Sequence, residues 1–238
     1  MGSIPTASTN FVIIMTQEDT VENFYKYQEV EDYEGGHSPR YDFLVEDLKL
    51  DEIEDSKVAD FGCGLGSIFG RLPSNRGNNF HGFDGSNPED ILKYKFADSF
   101  TYHQQDLNLP FADKFLEENN FQFDIGMSFE TWEHIPNLYQ CIIEMKKLVK
   151  KDGIIYASIP HERITHNTFY PGLLYPVQNF ANFLAQMAFE IKDHVMHQKA
   201  HTQHVFTLVN HDWNRSRMHF PKSEEKFRNI PPLVAINL

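Results

Sequence analysis

The chain has 238 residues, a hydrophobic content of 41% and a formal net charge of −13, a composition that supports a folded core and excludes an intrinsically disordered protein. Residues 17–55 carry fourteen acidic against three basic side chains, and because the remainder is close to neutral, duplex nucleic acid is not an expected partner. No apolar run approaches the roughly 18 residues of a membrane span and no basic signal-peptide region begins the chain, so we expect a cytoplasmic protein without a membrane partner.

The N-terminal quarter predicts a helical segment in front of the main domain. Ser38 and Pro39 suit the cap and first position of a helix, and the apolar residues that follow predict a helix over about 39–50. We expect one domain after an extension, divided as follows: extension 1–15, acidic helical lid segment 16–56, central core 57–160, and closing strands with the substrate side 161–238.

Short apolar runs then alternate with helical stretches. Strands are predicted at 57–61, 79–83, 101–104, 121–128, 153–159, 190–194 and 204–209, and helices at 66–72, 88–96, 137–150 and 173–188. This alternation is typical of an α/β fold with a doubly wound, mostly parallel sheet covered on both sides. The last two strands are close enough in the chain for a hairpin, so we expect the final strand to be antiparallel.

A glycine-rich turn follows the first predicted strand, in the sequence VADFGCGLGS over residues 58–67. Gly62, Gly64 and Gly66 allow a tight turn, and their missing side chains would let a ligand lie against the backbone. Asp84 ends the next strand, where a carboxylate would accept hydrogen bonds from the two hydroxyls of a ribose. A nicotinamide dinucleotide would also suit these features, so they do not identify the ligand.

Two further carboxylates distinguish the possible ligands. Asp60 immediately precedes the glycines, where it would repel a pyrophosphate but suit a cationic amino-acid group. Asp106 lies at the mouth of the third strand, where it is placed to accept from the exocyclic amine of an adenine. The pattern favours an adenosine that carries positive charge.

Five segments in order resemble the successive motifs of the class I S-adenosylmethionine-dependent methyltransferases: DFGCGLGS, GFD, QQDLN, FDIGMSFETWEHIPN and LVKKDGIIYASIP. The resemblance covers about residues 57–160 and implies a Rossmann-like fold with S-adenosyl-L-methionine as cofactor. The positions that it implies for the cofactor, with Arg40 added as a candidate for its carboxylate, are Asp60, Phe61, Gly62, Cys63, Gly64, Gly66, Asp84, Gly85, Ser86, Asp106, Leu107, Ser128 and Phe129.

The segment after the fourth predicted strand contains an E-x-x-E-H pattern. Transfer of a methyl group to a hydroxyl requires removal of a proton, by a base or with the help of a metal. The pattern is similar to the metal site of the ubiquinone-pathway O-methyltransferases and the small-RNA 2′-O-methyltransferases, which implies a divalent metal held by Glu130, Glu133, His134 and a downstream histidine, His204 or His201. Two alternatives stay open: His134 acts as a metal-free base or substrate contact, or the segment is only structural.

Eight of the 12 histidines lie between residues 161 and 219, where this fold class builds its acceptor site. His161 follows the fifth strand, at the edge of the sheet where open α/β folds bind ligands, and joins His134 as a catalytic candidate. Arg215 and Arg217 would grip an anionic group or pair with the acidic N-terminal stretch.

The expected function is therefore methyl transfer to a small polar acceptor, with a hydroxyl of a saccharide or another metabolite favoured, in a protein that could form a homodimer. The alternatives within the fold are an N-methyltransferase or an RNA 2′-O-methyltransferase. Outside it, the alternatives are a nicotinamide-dependent oxidoreductase and a non-catalytic adenosyl-binding partner subunit.

Overall fold

The computed structural model describes residues 40–91, 99–161, 176–197 and 202–212. The predicted extension 1–15, most of the lid segment, His201, Arg215 and Arg217 lie outside these residues.

The core of the protein is one seven-stranded sheet. Its strands are β1 (Lys57–Phe61), β2 (Asn79–Asp84), β3 (Thr101–Gln104), β4 (Phe123–Phe129), β5 (Val149–Pro160), β6 (Phe189–His197) and β7 (Gln203–Asn210). They lie in the order β3-β2-β1-β4-β5-β7-β6. The first five strands pair in parallel, and β7 is antiparallel to both β5 and β6. The predicted doubly wound sheet with an antiparallel final strand is confirmed, because a short connection between β6 and β7 permits only an antiparallel hairpin.

Helices and turns connect these strands. The described helices are α1 (40–48), α2 (Pro88–Ile91), α3 (Ala112–Asn119), α4 (Leu138–Leu148) and α5 (Val177–Gln186). The helix predicted over 66–72 is wrong: only a short 3₁₀ turn, Phe69–Arg71, forms there, preceded by glycines with positive φ. Among the described helices, none has the length and apolar character to cross a membrane.

Helix α3 was not predicted, and its capping explains why. The carboxylate of Glu144, on α4, accepts hydrogen bonds from the backbone N–H groups of Phe111 and Ala112 at 2.8 and 2.7 Å. These N–H groups begin α3 and would otherwise lack partners. A cap supplied from more than thirty residues away leaves no local signal in the sequence of the helix.

Alternate residues of each strand enter one of two cores, one on each face of the sheet. In β1, Val58 packs in the core that contains Leu44 of α1, whereas Phe61 packs in the core that contains Trp132 and Phe180 of α5. Helix α1 therefore covers one face, and α4 and α5 cover the other.

The register of the strands aligns their carboxyl ends at one edge. Met127 of β4 pairs with Asp60 of β1 and with Tyr156 of β5. Parallel open sheets bind their ligands at this edge, beside the strand where the order reverses. The candidate site is therefore built from the segments that follow the five parallel strands, β1 to β5.

Candidate functional site

The glycine turn after β1 is shaped by contacts with the protein itself. Gly62, Gly64 and Gly66 have φ values of 84°, 50° and 73°, a region that disfavours residues with a side chain. A Cβ on Gly62 would overlap the side chain of Thr131, and one on Gly66 would overlap the ring of Phe100. At these two positions a side chain would meet other residues of the chain. The approach of a ligand to the backbone of this turn stays a prediction.

Asp84 holds the turn to the end of β2. Its Oδ2 accepts a hydrogen bond from the N–H of Gly64 at 2.9 Å, and its Oδ1 accepts from the N–H and the hydroxyl of Ser86 at 2.9 and 2.6 Å. A carboxylate has about four acceptor positions, so three are already used. Asp84 can therefore accept from one ribose hydroxyl without rearrangement, whereas the sequence suggested two.

The main chain after β2 is tied to β3. The hydroxyl of Tyr102 lies 2.9 Å from the carbonyl oxygen of Asp84 and 2.7 Å from that of Ser86. Gly85, between them, is partly exposed. These contacts fix the backbone that presents the Asp84 carboxylate.

Asp60 is a buried carboxylate with an unused oxygen. The residue is 4% exposed, and among the described residues its Oδ1 has no hydrogen-bond partner. Burial, together with the charge of Asp84, raises the pKa of Asp60 to about 7, while the nearby guanidinium of Arg40 partly opposes the rise. A carboxyl group in this state is suited to an added cation, which would supply the missing partner and favour ionisation.

Two more of the predicted cofactor positions lie after β3. The Oδ1 of Asp106 accepts from the backbone N–H and the side-chain amide of Asn108, at 2.8 and 3.0 Å. Leu107 is 3% exposed. This turn fixes Asp106 at the carboxyl end of β3, beside β2.

The other predicted cofactor positions are buried parts of the turn and of β4. The Ser128 hydroxyl donates to the Phe61 carbonyl oxygen at 2.8 Å and so joins β4 to β1. Phe129 and Cys63 are each 5% exposed. Burial and the neighbouring carboxylates of Asp84 and Asp60 raise the pKa of the Cys63 thiol, so a reactive thiolate is disfavoured.

The E-x-x-E-H segment does not form the predicted metal site. Glu130 has a φ of 52° and precedes a 3₁₀ turn, Trp132–His134, so the carboxylates and the imidazole do not share the face of an α-helix. His204 is bonded to two other histidines instead. The part of the chain that the structure describes contains no group of three or more His, Cys, Asp or Glu residues that could hold a metal ion.

Glu133 is the most unusual residue of this segment. It is fully buried, and neither carboxyl oxygen has a hydrogen-bond partner among the described residues. Burial and the charge of Glu130 raise its pKa well above the ordinary value, which favours the neutral acid. His134 lies 3.7 Å away, from Nε2 to Oε1.

Three histidines form a hydrogen-bonded chain at the same edge of the sheet. Nδ1 of His161 lies 2.9 Å from Nε2 of His204, and Nδ1 of His204 lies 3.0 Å from Nε2 of His194. Burial, the largest cause, lowers the pKa of His204 to about 3 and that of His194 to about 4. The sequence singled out His161 and His204 but not His194, whose role depends on the pairing of β6 with β7.

The central part of the chain matches a known family. Residues 59–157 match the family described as "Methyltransferase domain". Two curated relatives are ubiquinone biosynthesis O-methyltransferases: that of Rickettsia typhi is 29% identical over 124 residues, covering 50% of this chain and 48% of the relative. That of Glaesserella parasuis is 30% identical over 149 residues, covering 55% of this chain and 63% of the relative. The chain thus spans about half the length of the first of these relatives.

Solved structures resemble the fold over a longer range. The magnesium protoporphyrin IX methyltransferase of Synechocystis, with bound SAM, has a TM-score of 0.56 at 17% identity and covers 83% of this chain and 99% of its own. The N-methyltransferase NodS of Bradyrhizobium japonicum, in complex with S-adenosyl-L-homocysteine, has a TM-score of 0.56 at 11% identity. The match covers 82% of this chain and 99% of NodS. At these identities the likeness shows the fold alone.

Proposed function

We propose, from the match of residues 59–157 to the family described as "Methyltransferase domain", that this chain transfers the methyl group of S-adenosylmethionine to a hydroxyl oxygen of a small polar acceptor. The observation that carries the proposal is the buried carboxyl of Asp60, with an oxygen that lacks a partner among the described residues, directly before a turn of three positive-φ glycines.

The residues at the edge of the sheet fit this cofactor. Asp60 would pair with the ammonium of its methionine part, and Arg40, whose charge reaches Asp60, would lie near its carboxylate. Asp84 would accept from a ribose hydroxyl, and Asp106 would accept from the adenine amine. When bound, the cofactor supplies an activated methyl group on a positively charged sulfur. A nicotinamide dinucleotide fits less well, because its pyrophosphate would lie against Asp60 and gain nothing from the partnerless oxygen.

A hydroxyl acceptor is supported by the histidine at the end of β5. Methyl transfer from a sulfonium needs positioning above all, and a hydroxyl adds the need for a base. His161 is partly exposed at this edge, with Nδ1 engaged by His204. The curated relatives carry the name O-methyltransferase, which agrees with an oxygen acceptor. The proposal does not involve a metal. A saccharide acceptor, a cytoplasmic location and a homodimer remain predictions.

The first experiment is calorimetric titration with S-adenosylhomocysteine. We expect binding by the wild type, and a loss of about 10-fold or more in affinity for Asp60→Asn, which removes a charge-assisted contact. Asp51→Asn, an exposed carboxylate outside the site, is the matched control and should bind as the wild type does. Absence of binding by the wild type would refute the proposal.

The second experiment identifies the acceptor atom. The wild type is incubated with S-adenosylmethionine carrying a labelled methyl group and with catechol, glucose or an aliphatic amine. Label on catechol or glucose would support an oxygen acceptor, whereas label on the amine alone would favour an N-methyltransferase. Binding of S-adenosylhomocysteine without transfer to any acceptor would favour the non-catalytic subunit instead.

A further inference from the structure

The chain of three histidines connects the surface of the site to the interior of the sheet. His161 lies directly after β5 and is partly exposed, and its backbone N–H donates to the carbonyl oxygen of Thr202 at 2.8 Å. His204 and His194 are 2% and 4% exposed. The two ring-to-ring distances, 2.9 and 3.0 Å, are those of hydrogen bonds.

Proton counting makes this chain directional. A neutral imidazole carries one N–H and one lone pair, so a ring bonded to other neutral rings through both nitrogens donates at one and accepts at the other. His204 is such a ring, and burial keeps it neutral by lowering its pKa to about 3. Either all three rings carry the proton on Nδ1, or all three carry it on Nε2.

The charge near the inner end of the chain favours the first arrangement. Asp193 precedes His194, and its Oδ1 accepts the backbone N–H of His194 at 2.9 Å. The N–H dipoles of the three Nδ1–H rings all point from His161 toward His194, the ring on which the charge of Asp193 acts. A negative charge at that end stabilises this direction over its reverse. Nε2 of His161 then carries no proton, and it takes no part in the hydrogen bonds among the three histidines.

We propose that His204, itself held by His194, is a positioning residue that fixes His161 as the Nδ1–H tautomer and so leaves its Nε2 able to accept the proton of an acceptor hydroxyl. The inference rests on the proposed methyltransferase function and assigns the proton of that reaction. As the hydroxyl oxygen forms its bond to the methyl carbon, the carbon–sulfur bond breaks and leaves its electron pair on sulfur. The hydroxyl proton goes to Nε2 of His161, and the resulting imidazolium later gives a proton to water.

Nuclear magnetic resonance of the protein with ring-¹⁵N-labelled histidine tests the tautomer directly, because a bare ring nitrogen and an N–H nitrogen have well-separated shifts. At pH 7.5 we expect a bare Nε2 and a protonated Nδ1 for His161, whose signals are assigned by their loss in His161→Gln. In His204→Phe, which keeps a flat ring but removes both nitrogens, His161 should change toward the Nε2–H tautomer that free imidazole side chains favour.

A matched control comes from the second histidine pair of the sheet. Nδ1 of His81 lies 2.8 Å from Nε2 of His103, between β2 and β3 and away from the site. His103→Gln breaks this pair and should leave the His161 signals unchanged. If His204→Phe does not fold, His194→Gln replaces it, since it removes the inner ring and should weaken the Nδ1–H preference of His161. A protonated Nε2 in the wild type, or a tautomer that His204→Phe leaves unchanged, would overturn the proposal.

A kinetic measurement tests the consequence for transfer to catechol. We expect His204→Phe to lower kcat by about 10- to 100-fold, since general-base catalysis contributes more than that, and to leave KM for catechol within about two-fold. An unchanged kcat with a raised KM would contradict a positioning role. The resonance experiment needs neither cofactor nor acceptor, so a failure to bind S-adenosylhomocysteine would refute the proposed function without altering the tautomer result.

Discussion

Ionisation of the Asp60 carboxyl costs the folded protein free energy, and Asp60→Asn removes that cost. Burial, with the charge of Asp84, raises the pKa of Asp60 from 3.8 to about 7 against the opposing effect of Arg40. Because the folded pKa lies above the unfolded one, the folded state holds its proton where the unfolded state has lost it. Stability from this group is therefore fully present below the unfolded pKa and is lost as the pH rises toward 7.

The size of the effect follows from the two pKa values. Each pH unit between them removes about 1.4 kcal/mol, so a rise of about 3 units corresponds to about 4 kcal/mol. Part of this loss has occurred by pH 5, and between pH 5 and pH 8 the wild type should lose about 3 kcal/mol through this group. That is a large fraction of the ~5–15 kcal/mol that stabilises a typical domain. An asparagine has no ionisable proton, so Asp60→Asn should gain the same amount of stability relative to the wild type over this interval.

Urea unfolding at pH 5 and pH 8 measures this gain. The free energies of unfolding of the wild type, Asp60→Asn and the exposed control Asp51→Asn are compared at both values. Apart from the substituted residue, each variant keeps the titrating groups of the wild type, so their contributions largely cancel in the differences. We expect Asp60→Asn to become about 3 kcal/mol more stable relative to the wild type at the higher pH. The control should stay within about 0.5 kcal/mol.

A difference between Asp60→Asn and the wild type that is the same at both pH values would refute this reasoning. It would mean that the buried carboxyl ionises as easily as in the unfolded chain. The same variant should bind S-adenosylhomocysteine more weakly, so stability gained and binding lost together identify a group retained for its ligand.

Three further substitutions test how the site is built. Gly62→Ala forces a side chain into a positive-φ position against Thr131 and should lower the free energy of unfolding in urea by about 2–5 kcal/mol. Adding Thr131→Gly should restore the part of this loss that is due to the steric contact. A decrease below about 1 kcal/mol for Gly62→Ala would contradict the contact. Tyr102→Phe removes the hydroxyl beside two loop carbonyls and should lower the free energy of unfolding by about 1 kcal/mol. Calorimetry should show weaker binding of S-adenosylhomocysteine; unchanged binding would show that the loop does not need the hydroxyl. Glu144→Ala leaves two buried N–H groups at the start of α3 without their acceptor. It should lower the free energy of unfolding by about 2–4 kcal/mol and speed hydrogen exchange of these amides, whereas the exposed control Glu117→Ala should do neither.

The cofactor edge could be anticipated in sequence because its residues are contiguous with strand ends. Asp60, the glycine turn and Asp84 each follow or end an apolar run, and parallel strands bring such ends together whatever lies between them. The metal prediction was of a different kind. It required Glu130, Glu133 and His134 to share a helical face with His204 nearby, and a positive φ at Glu130 removes the helix that the spacing assumed.

Sequence patterns were enough to predict a mostly parallel sheet with an antiparallel final strand and carboxylates next to the strand ends, because these features depend on periodicity and on positions beside apolar runs. The order of the strands in the sheet was not predicted. The three-dimensional arrangement was needed to see which side chains occupy the space beside Gly62 and Gly66, which distant carboxylate caps α3, and that His161, His204 and His194 form one hydrogen-bonded chain. Hydrogen bonds and close contacts between elements depend on strand register and on the path of each connection. No local pattern of residues records either of them.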